Sequence, residues 1–318
     1  MKTRVLTGFF ILLGLIGAII LRYQTIYVFD IIFIAIAIIS CLEISRALRI
    51  NGKFTNTIFV ALYPIIIYFC IFIGLLQGYP YYYYFLVFPI VIVAIFIINL
   101  IISLIFKKQA GKQLESVKLK TSYFKFAIQK SYNSTFVMFY PALLFLPLFF
   151  INNLAQFNGV FFNHSYTAGL EIFTLFIFIS LFVSTMFTDT FAYAVGSLLK
   201  GPKLCPKISP KKTISGALGG LTFSLIGVLI LFLIFNTNTI FNTFFIAING
   251  NIWHILVLGV IGSIVSQFGD IFASFFKRKN NIKDFGNLLP GHGGVLDRVD
   301  GLIYNGEFVF LLAIIMLL

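Results

Sequence analysis

Of the ten acidic residues in this 318-residue chain, five set a chemical question by where they fall: Asp189, Asp270, Asp284, Asp297 and Asp300. The other five, Asp30, Glu43, Glu115, Glu171 and Glu307, are scattered singly. From Lys277 to Asp300 the chain reads KRKNNIKDFGNLLPGHGGVLDRVD, which gathers five basic and three acidic side chains, a histidine and four glycines into twenty-four residues. Asp297 and Asp300 are three apart, a spacing that puts both carboxylates on one face of a helix. Carboxylates among so many cations are unusual partners for a polyphosphate unless a divalent metal lies between them. Magnesium is held in this way, by one or two carboxylates with phosphate oxygens completing its shell. Gly293 and Gly294, with Gly291, allow close backbone approach to a ligand, and consecutive N–H groups can form an anion nest. The combination points to a nucleoside triphosphate losing pyrophosphate. Internal salt bridges would explain the signs of the charges but not the PGHGG turn. His292 alone is more often a structural hydrogen-bonder than a catalyst, and its glycine neighbours add only that a phosphate contact is sterically open.

Those residues need a scaffold, and composition says which kind. The chain is 60% hydrophobic and 10% charged, with a mean hydropathy of +1.02, whereas soluble domains carry roughly 25% charged residues. About nine stretches are long and apolar enough to span a bilayer: 5–21, 25–43, 57–76, 82–106, 134–151, 166–188, 214–235, 243–268 and 302–318. The eighth is interrupted by Asn249, Gly250 and Asn251. An all-α, polytopic integral membrane protein is expected, divided into an N-terminal transmembrane region (1–165) and a C-terminal region (166–318) that carries the candidate site. The first span is not read as a signal peptide, because no small-residue cleavage site follows and a second span begins soon after Arg22. Cys41, Cys70 and Cys205 lack paired spacing, so neither a disulfide framework nor a zinc site is expected.

The net charge of +13 is not spread evenly. With alternating crossings every cluster of Lys and Arg falls on one face and only Arg22 on the other, so the positive-inside rule places the amino terminus and the basic loops in the cytoplasm and the carboxyl terminus outside. No nucleic-acid partner is expected: the 41 Phe and 15 Tyr sit mostly inside apolar spans rather than on a basic face of a soluble module. The run Tyr79 to Phe85 reads as an interfacial aromatic belt. The basic loop 107–133 reads as an ordinary positive-inside loop, ahead of recognition of anionic headgroups.

Two further segments join the opening one. In 184–197, STMFTDTFAYAVGS, Asp189 lies among hydroxyl residues at the expected end of the sixth span. A carboxylate there is either compensated by those hydroxyls or a cation, or is a helix end in water; both readings stand. In 200–220, three prolines and five lysines exclude a continuous helix. Its SPKKT tail, Ser209 to Thr213, presents Lys211, Lys212 and a hydroxyl at a helix start, where free N–H groups favour phosphate. It lacks the G-x-x-x-x-G-K spacing of a Walker loop.

The run from Ser274 to Asp300 resembles the signature of the phosphatidate cytidylyltransferases, or CDP-diacylglycerol synthases, in its Ser274, Lys277, Arg278, Lys283, Asp284, Gly286, Pro290, His292, Gly293, Gly294, Asp297, Arg298 and Asp300. Asp189, Ala192, Tyr193 and Gly196, and the PKISPKKT segment, resemble other segments of that family. Ala273, Ser215 and Gly301 depart from its usual residues. The resemblance implies a reaction of CTP with phosphatidate, aided by magnesium and a monovalent cation such as potassium, to give CDP-diacylglycerol and pyrophosphate for phospholipid synthesis. It implies Asp270 and Asp297 as metal ligands. Phosphate or nucleotide contacts would come from Asp189, Ser209, Lys211, Lys212, Thr213, Lys277, Arg278, Gly293 and Gly294, and Lys283, Asp284, His292, Arg298 and Asp300 would share the catalytic pocket. It further implies a homodimer in the inner membrane, with the site facing the cytoplasm. Rival readings are a cytidylyltransferase acting on an ether or isoprenoid lipid phosphate, and an ion-coupled transporter. The transporter predicts inverted repeats and acidic groups near the midplane, and no repeat is apparent. A CDP-alcohol phosphotransferase fits less well, because its longer spaced aspartate pattern is missing.

Overall fold

The computed structural model describes residues 13–14, 16–22, 25–77, 81–105, 122–158, 167–289 and 293–318. Most of the expected first span, residues 106–121 of the basic loop, part of the aromatic run, and Pro290, Gly291 and His292 lie outside them. The protein is polytopic and helical: among the described residues seven helical stretches are long and apolar enough to cross a membrane, one of them Tyr123–Asn152, which is interrupted within its length, and a shorter apolar helix covers Pro89–Ile105. The chain divides into two compact units, Met1–Leu146 with Lys279–Leu296, and Pro147–Arg278 with Asp297–Leu318.

The first unit contains α1 (Tyr27–Ile50), α2 (Thr57–Leu76), α3 (Tyr81–Ile105) and α4 (Tyr123–Phe139), with a 3-10 turn at Ala142–Phe145. In lipid, apolar side chains alone give helices little reason to associate, so polar side chains act as glue. Asn56 Nδ2 donates to Asn99 Oδ1 (2.9 Å) and Ser103 Oγ (3.1 Å), while Asn99 Nδ2 donates to the Tyr63 hydroxyl at 2.7 Å. Ser134 Oγ receives the backbone N–H of Asn56, and Asn133 donates to the Phe54 carbonyl. Two expectations change here. The loop expected over 107–133 is already helical from Tyr123, because its interleaved aromatics give one face something to bury: Phe126 packs on Phe54 with ring centroids 5.9 Å apart. The straight span expected over 134–151 is instead broken after Phe139. Pro141 and Pro147 supply no backbone N–H, so the chain continues through the 3-10 turn into the short helix α5 (Leu146–Asn152).

The second unit is built on α6 (Thr167–Leu199), α7 (Ile214–Asn236), α8 (Thr239–Ala247), α9 (Ile252–Lys279) and α10 (Leu296–Leu317). Between α6 and α7 lies an antiparallel hairpin, β1 (Lys203–Cys205) and β2 (Ser209–Thr213), which is what the proline-rich basic segment forms instead of a helix. Thr213 ends β2 and caps α7, its Oγ1 accepting the Gly216 N–H at 3.1 Å. Small residues let α6 and α7 approach closely. A Cβ on Gly219 would lie 2.5 Å from Val195 Cβ, and one on Gly220 would lie 2.8 Å from the Thr188 carbonyl oxygen. Polar contacts fix the neighbouring helices: Thr188 Oγ1 with Ser263 Oγ (2.8 Å), Ser224 Oγ to the Gly259 carbonyl (3.0 Å), and Asn305 Nδ2 to Ser184 Oγ (2.7 Å) and Thr185 Oγ1 (2.9 Å).

Three boundaries in this unit differ from expectation. The sixth span does not end near Asp189, because no helix stop occurs before Lys200, whose φ is 46°, and the Gly201–Pro202 pair. Asp189 therefore sits inside a helix. The expected span 243–268 is divided: α8 stops at Ala247, Asn249 takes a φ of 54°, and α9 begins only at Ile252 and runs on past Asp270. The last helix starts at Leu296 rather than near 302, which makes Asp297 and Asp300 residues of its first two turns.

Candidate active site

Four of the five aspartates belong to the second unit. Asp189 lies ten residues before the end of α6, Asp270 nine before the end of α9, and Asp297 and Asp300 at the start of α10. Asp189 and Asp270 lie in the C-terminal thirds of their helices, and Asp297 and Asp300 in the first two turns of theirs. A midplane relay would put them at half length, so this placement disfavours the transporter reading.

Charge pairing is specific. Lys212, on β2, reaches Asp270 Oδ2 with its Nζ at 2.6 Å and also approaches the Gln267 carbonyl at 3.4 Å. Lys277, on the last turns of α9, holds Asp297 Oδ1 at 2.7 Å. The hairpin is therefore tied to α9, and α9 to α10, by ion pairs across sequence distances that no local pattern reveals. Arg278 is exposed and its Nε points at the Ile208 carbonyl, 3.5 Å away, on the hairpin turn. Lys211 is exposed, Ser209 half-buried, and the Thr213 hydroxyl is engaged in capping α7.

Asp300 is the most constrained of the group. Its Oδ1 accepts the Gly301 N–H at 2.9 Å, while its Oδ2 is buried with no hydrogen-bond partner among the described residues. The charges of Asp270, Asp189 and Lys277 act on it. Those of Asp270, Lys212 and Arg298 act on Asp189, which is itself exposed. Three carboxylates in mutual electrostatic range, one with a buried oxygen that accepts no hydrogen bond among the described residues, repel one another; Lys212, Lys277 and Arg298 offset part of that repulsion, and a further cation would offset more. Among the described residues no three Asp, Glu, His or Cys side chains are grouped closely enough to hold an ion by themselves. The donor set fits an ion that takes few protein oxygens and draws the rest of its shell from phosphate and water, as magnesium does.

Close backbone packing fixes the α9/α10 geometry. A Cβ on Gly269 would come within 2.7 Å of the Asp300 carbonyl oxygen, and one on Gly301 within 2.7 Å of Ser266 Oγ. Gly301, one of the departures from the family pattern, thus faces a hydroxyl supplied by α9.

Lys283, Asp284, Gly293 and Gly294 belong to the first unit. Lys283 and Asp284 are exposed, and Leu289 and Gly293 form an isolated antiparallel bridge with Leu289 N to Gly293 O at 3.0 Å. Gly293 has a φ of 85°, a conformation that favours glycine. One residue escaped the sequence reading: Glu43 of α1, which is buried and accepts the backbone N–H groups of Val295 and Leu296, each at 2.9 Å. Only its improbable position, an acid inside an apolar span, could have flagged it.

The chain matches the Cytidylyltransferase family over residues 2–316. A phosphatidate cytidylyltransferase of Brucella suis biovar 1 (strain 1330) is 43% identical over 143 residues, 45% of this chain and 48% of that protein. One of Rickettsia conorii (strain ATCC VR-613 / Malish 7) is 44% identical over 127 residues, 40% of this chain and 53% of the relative. One of Staphylococcus haemolyticus (strain JCSC1435) is 34% identical over 204 residues, 64% of this chain and 72% of the relative. The chain thus spans about half the length of the Brucella and Rickettsia relatives.

Proposed function

This chain belongs to the cytidylyltransferase family, and from that premise we propose that it makes CDP-diacylglycerol and pyrophosphate from CTP and phosphatidate. The observation that carries the reading is the pair of lysine–aspartate contacts, Lys212–Asp270 and Lys277–Asp297, with the buried Asp300 in electrostatic range of Asp270 and Lys277. Cations for phosphate and carboxylates for a divalent ion then occupy one unit, each at present neutralising the other.

The reaction asks for no protein nucleophile. An oxygen of the phosphatidate phosphate attacks the α-phosphorus of CTP; a P–O bond forms there, and the bond to the bridging oxygen breaks, its electron pair leaving with pyrophosphate. The work left to the protein is to hold two anions together and to stabilise the transfer. Lys212 and Lys277 exchange their aspartates for phosphate oxygens as CTP enters, and Lys211, Arg278 and Ser209 contribute to the same binding. Thr213 fixes the start of α7 and so the position of Lys212. The exchange frees Asp270 and Asp297, which would hold the metal, with Asp300 Oδ2 available as a further oxygen and Asp189 as a charge in range. Bound magnesium would offset the negative charge developing on the departing pyrophosphate, and a monovalent cation such as potassium would complete the proposed cofactor set. Roles for Lys283, Asp284, His292, Arg298, Gly293 and Gly294 rest on the family signature.

The proposal puts the site at the cytoplasmic face of the inner membrane, where CTP arrives from the cytosol and the diacyl substrate from the bilayer. It includes a homodimer, which the mass of the detergent-solubilised particle would test. The test is pyrophosphate release by the purified protein given CTP, magnesium and phosphatidate. Release is expected, with loss in Asp297→Ala; no release, or release undiminished in that variant, sinks the reading. A parallel reaction with an ether-linked isoprenoid phosphate separates the two lipid classes.

A further inference from the structure

Glu43 sits on α1 with 5% of its surface exposed, yet it faces a segment more than 250 positions away in sequence. Its Oε1 accepts the N–H of Val295 and its Oε2 the N–H of Leu296, both at 2.9 Å. Leu296 is the first residue of α10, so these are the first two of the N–H groups that a helix start leaves without intrahelical partners. A carboxylate there also meets the positive end of the helix dipole. The same carboxylate fills the space that side chains would need at two glycines of the signature run. A Cβ on Gly294 would lie 2.6 Å from both Glu43 oxygens, and a Cβ on Gly286 would collide with Oε1. Gly286, Gly294 and the N–H groups of Val295 and Leu296 are thus organised around one buried side chain.

We propose that Glu43 is a positioning residue of the active site: it anchors the start of α10, and through that start sets the direction in which Asp297 and Asp300 project. The inference rests on the cytidylyl-transfer reading for its catalytic consequence but not for the clamp itself. It also revises the role of the glycines. The N–H groups that follow the turn are used on an internal carboxylate, so Gly294 and Gly286 make room for Glu43 before they make room for a phosphate.

The experiment combines hydrogen exchange with kinetics on the full chain in detergent. Glu43→Gln keeps the shape but presents one oxygen where two N–H groups need acceptors, and Glu43→Ala removes the anchor. A hydrogen bond to a charged group is worth enough that peptides covering 293–297 should exchange roughly tenfold to a hundredfold faster in either variant. The value of kcat should fall by a similar factor with KM for phosphatidate little changed. Gly294→Ala should be equally impaired, and adding Glu43→Asp, one methylene shorter, should restore part of its activity. Should Glu43→Ala fail to fold, judged by gel filtration, Glu43→Gln and the Gly294→Ala pair carry the test. Wild-type exchange at 293–297 in Glu43→Gln overturns the clamp. Faster exchange with an unchanged kcat overturns the positioning role. A wild-type protein without cytidylyltransferase activity removes the functional premise while the exchange data still decide the clamp.

Discussion

Lys277 and Asp297 form a nearly sealed pair, their side chains 11% and 3% exposed, whereas Lys212 and Asp270 remain 23% and 34% exposed. The two pairs should therefore answer mutation differently. Removing one partner of a buried pair costs about 3–5 kcal/mol because a desolvated charge is left behind, while an exposed pair is worth about 0–1 kcal/mol. Lys277→Ala should lower the melting temperature in detergent and abolish activity. Adding Asp297→Ala should restore most of the stability but none of the activity, since both charges are then gone from the site. Lys212→Ala should melt within error of the wild type and raise KM for CTP by roughly tenfold or more, the loss of one charge-assisted contact to phosphate. A melting temperature that fell as far in Lys212→Ala as in Lys277→Ala would contradict the burial argument.

Helix packing in the second unit depends on glycines that admit no Cβ. On α7, a side chain at Gly220 would press on the Thr188 carbonyl oxygen at 2.8 Å and on Ala192 Cβ at 3.1 Å, backbone and stiff side chain that cannot swing aside. Gly220→Val should part α6 from α7, at a cost of about 1–3 kcal/mol or more, and move Asp189 relative to Lys212. Loss of activity together with a lower melting temperature is the expected outcome. Gly17→Ala, where nothing among the described residues lies within 4 Å of the added Cβ, is the control and should change neither. The elements themselves were largely legible in the sequence: α2 and α7 fall where apolar length alone puts them, and Asp297 and Asp300 share a helix face as their spacing requires. Boundaries were less so. Apolar length gives no stop signal, so α6 was cut short at Asp189, and the true stop came from Lys200 to Pro202. The pairing of Lys212 with Asp270, and the reach of Glu43 to Val295, were illegible for a different reason: both depend on tertiary approach between segments that share no periodicity. The glycine signature was visible, but the carboxylate that occupies its space lay 250 residues upstream.

At the scale of the whole molecule, the charge asymmetry makes a claim about orientation that the three cysteines can test. Every Lys and Arg cluster falls on one face under alternating crossings, with Arg22 the exception, and the positive-inside rule assigns that face to the cytoplasm. Cys41 is buried in α1 and Cys70 lies half-buried within the apolar helix α2; Cys205 is half-buried as well, but it ends β1 of the hairpin that carries Lys212, outside the apolar helices. An impermeant maleimide reacts with a thiol only where water and reagent reach it, which singles out Cys205. Inside-out vesicles should take up label, intact right-side-out cells should not, and Cys205→Ser should remove the signal. CTP with magnesium should slow the labelling, because the hairpin supplies Lys211 and Lys212 to the proposed phosphate site. Labelling of Cys205 in intact cells would reverse the assigned orientation and with it the cytosolic entry of CTP. Labelling from the inside that nucleotide leaves unaffected would keep the orientation but detach the hairpin from the site.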